Sequence, residues 1–248
     1  MRTVDELLAR VARLIADEPP RTDDRAGVGG ALRRLCSAAG RSLSASGVGV
    51  SVMGEGGMRG VAAVSEPPYE AIEELQFTLG EGPCLDAFAT RQPVLVPELA
   101  GAAMHRWPGY APAVHGCGMR AVFAFPLQVG AARLGVLDVF RAEEGALSAR
   151  QFRQALTFAD VAVTTLLDEQ ERAAPGAAAE GLDEVMGQRA EVYQAQGMVS
   201  VQMGISLVDA LARLRAHSYA ENRPLGEVAR DVVARRLAFD SDQSEEKR

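Results

Sequence analysis

The sequence has little of several things on which large classes of protein depend. It has only three cysteines in 248 residues, and their odd number and wide spacing give no basis for a disulfide framework. No run approaches the roughly 18 consecutive apolar residues that a membrane-spanning helix needs. The first residues are amphipathic and include acids, unlike a secretory signal peptide. We therefore expect a cytoplasmic protein with no membrane partner.

Lysine is almost absent, since Lys247 is the only one. The net charge of −7 excludes a chain that attracts nucleic acid over its whole surface. Charge is nevertheless uneven along the sequence. Residues 188–238 carry seven arginines against five acids, whereas the tail 240–248 is acidic. This mild local excess of positive charge permits phosphate contact in the C-terminal region.

Hydrophobic periodicity divides the first 171 residues into helices around alternating segments. Helical patterns cover 4–16, 28–43 and 148–171. Two β-hairpins are predicted from alternating apolar residues, 47–53 with 59–64 and 120–129 with 133–141. The stretch 76–118 between them looks long and irregular, apart from a short apolar word at 93–97. A loop-rich insertion over a sheet is a common way to build a ligand pocket.

Three sequence segments in this region resemble those of the GAF sensory family. They are LQFTLGEGPCLDAF at 75–88, RWPGYAPAV at 106–114 and FAFPLQVGAARLGVLDVF at 123–140. The resemblance covers about residues 28–170. It implies an α+β fold whose N-terminal GAF domain is an antiparallel sheet flanked by helices. Members of this family bind cyclic nucleotides, haem, bilins, other small molecules or nothing known, so the resemblance leaves open which small-molecule ligand this domain binds and whether it binds one.

A linker of small residues, 173–181, leads to three amphipathic helices between residues 182 and 239. Leu207, Leu211 and Leu214 recur at helical spacing in the middle helix. Helices this short bury too little apolar surface alone, so we expect them to pack together as a bundle. The face left outside is polar and carries arginines and a tyrosine.

Three sequence segments in these helices resemble the ANTAR domain, the three-helix RNA-binding output module of bacterial antitermination regulators. They are QAQGMVSVQMG at 194–204, DALARLRAHSY at 209–219 and NRPLGEVARDVV at 222–233. The chain departs from the family at Gln196, where a lysine is usual, and so lacks one positive charge on the first helix. The predicted domains are an N-terminal helix and loop (1–27), a GAF domain (28–172), an ANTAR domain (182–239) and an acidic tail (240–248).

The resemblance implies a transcription antiterminator that binds RNA stem-loops under the control of the GAF domain. The candidate RNA-binding residues are Gln196, Arg213, Arg215, Tyr219, Asn222, Arg223 and Arg230. Arg215 and Tyr219 are four residues apart on one helix face, with Asn222 one turn further. A guanidinium and a ring so placed can stack on unpaired loop bases. The remaining arginines are expected to hold phosphates.

Two other functions stay open for the C-terminal helices. Residues 206–238 form a helix, turn, helix pattern, which a DNA-binding regulator would use to read the major groove. Against this, the last helix offers Glu227 and Asp231 and few side chains that read bases. The bundle is otherwise a protein-interaction module. In a further alternative, Tyr219 packs over the groove between helices instead of facing RNA.

A seven-residue apolar rhythm also suggests self-association. Val185, Val192 and Val199 fall on it, and such a seam is suited to a two-stranded coiled coil, although it could equally pack inside one chain. We expect a homodimer through 149–170 and 182–203, because two stem-loops need two bundles at a fixed spacing.

No catalytic constellation stands out, neither Ser/His/Asp nor paired carboxylates, and we predict no enzyme, cofactor or metal site. Cys84 is either a reactive thiol or a small buried residue. The second is favoured, because reactivity needs an exposed, electropositive site. Cys84 with Cys117 also suggests the GAF-fold reductases of free methionine sulfoxide, whose cysteine set has no match here. His105 and His115 lack the short paired intervals of structural zinc sites.

Overall fold

The computed structural model describes residues 2–19, 27–53, 59–172, 182–221 and 223–239; the predicted linker and the acidic tail lie outside these ranges. The strands are β1 (Gly47–Met53), β2 (Arg59–Val64), β3 (Val94–Val96), β4 (Ala121–Val129) and β5 (Ala132–Arg141). The helices are α1 (Arg2–Ala16), α2 (Val28–Leu43), α3 (Pro68–Leu79), α4 (Pro83–Thr90), α5 (Ala103–Arg106), α6 (Tyr110–Gly116), α7 (Ala149–Arg172), α8 (Leu182–Met203), α9 (Leu207–Ala220) and α10 (Leu225–Val233). Taken singly, none of the described helices is long and apolar enough to cross a bilayer; 190–203 with 207–220 meets the length and composition only as a pair bent by 105°.

The five strands form one antiparallel sheet in the order β2-β1-β5-β4-β3. Side chains alternate between the two faces of a strand. In β5, Leu137 and Val139 therefore enter one apolar core, whereas Val136, Asp138 and Phe140 face the other. Helices α1, α2 and α7 cover the first face, and α3 to α6 cover the second. This is the antiparallel sheet flanked by helices that the sequence predicts.

The last three helices make a bundle with a small apolar core of its own: Ala195, Val199, Ala210, Leu214, Leu225, Val228, Ala229 and Val232. Helix α9 starts at a serine cap, because Asp209 N donates to Ser206 Oγ at 3.1 Å and one free N–H group of the first turn is satisfied. The bundle touches the sheet domain through α8 against β2 and through α9 and α10 against α3. The α+β architecture predicted from the sequence is confirmed.

The expectation of an irregular stretch over 76–118 is wrong. The segment contains the end of α3, all of α4, α5 and α6, and strand β3. These three helices are eight, four and seven residues long. A period of 3.6 residues hardly repeats over such lengths, so the sequence pattern cannot reveal them.

The apolar rhythm in α8 serves packing inside the chain wherever its side chains are described. Val199 is buried in the bundle core and Val192 packs against it. The side chain of Val185 lies outside the described part of the structure. Of the two alternatives for this seam, internal packing therefore applies to Val192 and Val199.

Candidate functional sites

The exposed side of α9 is the first candidate site. With about 3.6 residues per turn, Arg213, Ala216 and Tyr219 follow one another around this side with Ala212 beside them, and all four are exposed. Tyr219 is 57% exposed, so the alternative in which its ring packs in an interhelical groove is wrong. Because alanine side chains are short, the middle of this surface is flat. The guanidinium of Arg213 lies at one edge and the ring of Tyr219 at the other.

Arg215 shares a helix face with Tyr219 by spacing, yet it lies against the sheet domain. Its guanidinium approaches the glycine that ends α3, and a Cβ added to Gly80 would come within 2.5 Å of Arg215 Nη1. Gly80 adopts φ of +75°, a backbone conformation that is unfavourable for residues with a side chain. The predicted stacking pair is therefore split, with the ring in solvent and the guanidinium half-buried.

Arg223 is held by a carboxylate of its own bundle. Its Nη2 donates to Asp231 Oδ2 at 2.6 Å, and Arg236 Nε donates to Asp231 Oδ1 at 2.8 Å. Hydrogen bonds from these two guanidinium groups hold the pKa of Asp231 below its ordinary value, and the bond to Asp231 raises the pKa of Arg223. Arg223 thus ties the α9–α10 loop to the end of α10, whether or not it also contacts phosphate.

Two further predicted contact residues also have partners within the bundle. Arg230 Nε lies 3.4 Å from Glu191 Oε2, which links α10 to α8. Gln196 Nε2 donates to Leu207 O at 2.6 Å, which links α8 to the start of α9. Asn222 lies outside the described residues. Of the predicted set, Arg213 and Tyr219 are the most open to a partner in the described part of the bundle.

A cluster of polar side chains lies on the second face of the sheet, where the sequence predicts a pocket. Glu73 from α3, Cys84 from α4 and Asp138 from β5 are fully buried, and one potential ligand atom of each lies within 4.8 Å of the others. Ser51 Oγ donates to Glu73 Oε2 at 3.1 Å, and Gln76 Nε2 lies 3.5 Å from the same oxygen. Two carboxyl groups therefore meet in an apolar core, which corrects the expectation that the chain has no paired carboxylates.

Burial dominates the protonation of this cluster. It raises the pKa of Asp138 to about 7, although Cys84, Glu73 and Gln76 nearby act to lower it. Burial, and after it the charge of Asp138, raise the pKa of Glu73 well above its ordinary value. Neither Asp138 oxygen nor Glu73 Oε1 has a hydrogen-bond partner of normal geometry among the described residues. Near neutral pH the pair therefore keeps a proton unless a cation takes its place.

Two glycines make room for the cluster. Gly49 pairs with Asp138 across β1 and β5, and a Cβ at this glycine would collide with the Glu73 carboxyl. Gly82 adopts φ of +141°, which favours glycine, and it starts α4 so that Cys84 enters the core. The glycine turn before α4 therefore positions a buried thiol.

Part of the cluster had a signal in the sequence. Asp138 stands in the apolar word GVLDVF, at a position where alternation demands a core residue, and carboxylates are almost never fully buried unless paired. Glu73 gave no such sign, because polar residues of α3 look like an exposed helix face. The weaker candidates His105 and Cys117 are exposed.

A groove of about 600 Å³ lies on the opposite side of the sheet domain, between α1, α2 and α7. Arg10, Arg41 and Arg150 line it. Arg41 pairs with the buried Glu18, which reduces the positive charge that faces the groove. We assign no ligand to it.

Comparisons with known proteins match both parts of the chain. The family model for the GAF domain matches residues 26–167, and the family model for the ANTAR domain matches residues 180–233. No curated protein matches the chain.

Solved structures are similar to this chain at low sequence identity. The GAF domain of a phosphoenolpyruvate-protein phosphotransferase from Coxiella burnetii is 14% identical, with 68% of this chain and 95% of that chain covered and a TM-score of 0.50. The corresponding GAF domain from Acinetobacter is 10% identical, with 68% and 96% covered and a TM-score of 0.49. The free methionine-R-sulfoxide reductase from Neisseria meningitidis is 18% identical, with 68% and 92% covered and a TM-score of 0.47. The similarity to the Coxiella burnetii domain, at 14% identity and a TM-score of 0.50, supports the fold alone.

Proposed function

The chain belongs to the GAF domain family and carries an ANTAR domain behind its GAF domain, and we propose that it is a sensor-regulator that binds RNA stem-loops as a homodimer. It acts as a transcription antiterminator by holding a stem-loop of the nascent transcript and so favouring the antiterminator over the terminator. The GAF domain is the regulatory input. The proposal assigns no catalytic step to the chain and places it in the cytoplasm, where transcripts emerge.

The exposed side of α9 is the observation that carries the proposal. RNA is read in sequence-specific fashion mainly at unpaired loop bases, which stack on aromatic side chains and guanidinium planes. Tyr219 offers such a ring in solvent, and Ala212 and Ala216 let a nucleotide backbone come close. Arg213 at the other edge is exposed and supplies a positive charge for phosphate.

Arg215 provides a route from the sensor to this surface. Its guanidinium lies over Gly80 at the end of α3, the helix that also carries Glu73. A movement of α3 that releases Arg215 would allow its guanidinium to lie beside the Tyr219 ring. A GAF ligand produces this shift only if it binds the two arrangements with different affinity. If Arg215→Ala binds RNA with the affinity of the wild type, Arg215 does not couple the GAF domain to the RNA-binding surface.

The DNA-binding alternative has less support. Helix α10 has nine residues, and Leu225 and Val228 at its start are buried. The side chain of Glu227 in its first turn is 51% exposed, and a carboxylate there repels phosphates. A protein-interaction module has one observation in its favour, since Val201 and Val208 are 83% and 78% exposed at the corner between α8 and α9.

Competition binding separates these functions. The full-length protein is titrated against a fluorescent RNA hairpin, and unlabelled hairpin and duplex DNA of equal charge compete for it. We expect the hairpin to compete at lower concentration. We also expect Arg213→Ala to reduce the slope of log K against log salt by about 0.7–0.9, the loss of one phosphate contact. Arg10→Ala, at an exposed arginine of α1, is the matched control and should leave the slope unchanged.

Two outcomes of this titration contradict the proposal. Stronger competition by duplex DNA would favour the helix-turn-helix function. Absence of binding to both nucleic acids would favour the protein-interaction module.

A further inference from the structure

The buried group of Glu73, Cys84 and Asp138 has the composition of a metal site. Cysteine thiolate and carboxylate are both ligands that Zn²⁺ takes in proteins. The three groups come from α3, α4 and β5, and their potential ligand atoms lie within 4.8 Å of one another. Around a tetrahedral zinc ion, bonds of roughly 2.0–2.3 Å put ligand atoms ~3.5 Å apart. Small side-chain rotations would therefore close the group around one ion.

Three acceptor atoms of the group have no hydrogen bond of normal geometry among the described residues. Ser51 and Gln76 both direct donors at Glu73 Oε2, whereas Glu73 Oε1 has no partner within the described part of the chain. Both oxygens of Asp138, a residue that is 0% exposed, likewise lack a hydrogen bond of normal geometry, although Cys84, Glu73 and Gln76 lie close by. Polar atoms buried this deeply in native proteins are nearly always hydrogen-bonded. Three such acceptors beside one thiol indicate a site that takes a cation.

The surroundings of the group hold its members in place. Gln76 Nε2 faces Glu73, and Gln76 Oε1 accepts from Cys84 N at 2.8 Å. One amide side chain thus orients two of the three potential ligands. Hydrogen bonds of this kind commonly fix the ligands around metal ions and tune their affinity.

We propose that Cys84 Sγ and the carboxylates of Glu73 and Asp138 bind one divalent metal ion of the zinc type inside the GAF domain. A thiolate ligand and a dry, apolar surrounding favour zinc over magnesium or calcium, which prefer oxygen ligands and water. Tyr110 OH is buried close by and has no hydrogen-bond partner among the described residues. A fourth position is left to this hydroxyl or to a small donor ligand.

The spacing of these ligands along the chain is unlike that of most structural zinc sites. Structural zinc sites usually show short paired intervals of ligands, whereas these three residues come from distant parts of the chain. A metal must displace the thiol proton of Cys84, so its affinity should fall as pH falls. The proposal does not depend on RNA binding.

Cobalt substitution tests the site on the full-length chain. Co²⁺ is titrated into metal-free protein, and the thiolate-to-cobalt charge-transfer absorption is recorded. We expect saturation at one equivalent per chain. In Cys84→Ser the charge-transfer band should disappear, and in Asp138→Asn the affinity should fall at least about tenfold. Cys117→Ser removes an exposed cysteine and should keep the band.

A second measurement uses the unchanged protein, so the test stands even if a variant fails to fold. Zn²⁺ should raise the Tm of the wild-type chain, and calorimetry in buffers of different ionisation enthalpy should detect released protons. A band that survives in Cys84→Ser and vanishes in Cys117→Ser overturns the proposal. Wild-type protein that shows no charge-transfer band and no change of Tm with Zn²⁺ overturns it as well, and leaves the cluster as a proton-sharing carboxyl pair.

Discussion

Tyr219 is a large aromatic side chain with more than half of its surface in solvent. Stacking of a base on such a ring is worth roughly 1–3 kcal/mol by alanine substitution. Tyr219→Ala should therefore weaken RNA hairpin binding about 5- to 150-fold, while the exposed position leaves the fold intact. A gel-shift titration measures the change. Tyr193→Ala is the matched control, because Tyr193 is 41% exposed on α8 and belongs to no proposed contact.

Unchanged affinity of Tyr219→Ala would remove the ring from the binding surface. Equal weakening in both tyrosine variants would place the RNA on α8 as well as α9.

Asp231 gives the bundle a pH dependence whose sign follows from its lowered pKa. A carboxyl whose folded pKa is depressed stabilises the fold above its ordinary pKa of about 3.9, and this stability is lost as pH falls through the depressed value. Asp231→Asn should therefore be less stable than the wild type at pH 7, and the difference should shrink below about pH 3.9. Thermal unfolding followed by circular dichroism at pH 7, 5 and 3 measures this. A difference of equal size at pH 3 would show that the side chain acts by packing alone.

The arginines of the bundle show which contacts of single residues can be predicted from the sequence and which cannot. Helical spacing places Arg215 and Tyr219 near each other on α9, but in the structure only the Tyr219 ring faces solvent. It cannot reveal that Gly80 lies under Arg215, because that contact joins two domains. Nor can it show that Arg223 pairs with Asp231, since helical spacing relates neighbours only three or four residues apart.

Helices α7 and α8 are the elements on which the proposed homodimer depends. Val192 and Val199 are already used inside the bundle, whereas Val201 near the end of α8 is 83% exposed. We expect Val201→Asp to shift the chain towards monomer, because a charge cannot be buried unpaired in an interface. Val129→Asp, at a half-exposed valine of β4, is the control. Sedimentation velocity at micromolar concentration, with and without RNA, measures both.

A monomer under all these conditions would contradict the homodimer. It would leave the RNA-binding proposal to be judged on a single bundle and a single stem-loop.

Element boundaries were predictable where the periodic pattern is long. The predicted strand 47–53 is observed as Gly47–Met53, and the predicted strand 133–141 as Ala132–Arg141, because alternation over seven or more residues specifies which face is buried. Helices α4, α5 and α6 escaped prediction for the opposite reason. They are held by contacts specific to the fold, as where Glu81 Oε1 accepts from Gly109 N and Tyr110 N at 2.6 and 2.9 Å.

At the scale of the whole molecule, the bundle packs on strand β2 and helix α3 of the sheet domain. Helix α3 supplies Glu73 to the buried cluster, ends at Gly80 beneath Arg215, and contacts α9 and α10. A ligand that moves α3 would act on both parts at once. The sequence segments that resemble the two families predicted the GAF and ANTAR domains and their order along the chain. They could not predict how the bundle packs on α3, because that contact depends on tertiary structure and has no periodic signature.

The most direct test of the central claim is ultraviolet crosslinking of RNA to the intact protein in cells, followed by sequencing of the recovered RNA. Wild-type protein should recover transcripts with tandem hairpins close to terminators, and Tyr219→Ala should recover far fewer of them. Recovery of no RNA above the background of an untagged strain, or of the same RNA by both proteins, would contradict an RNA-binding surface on α9.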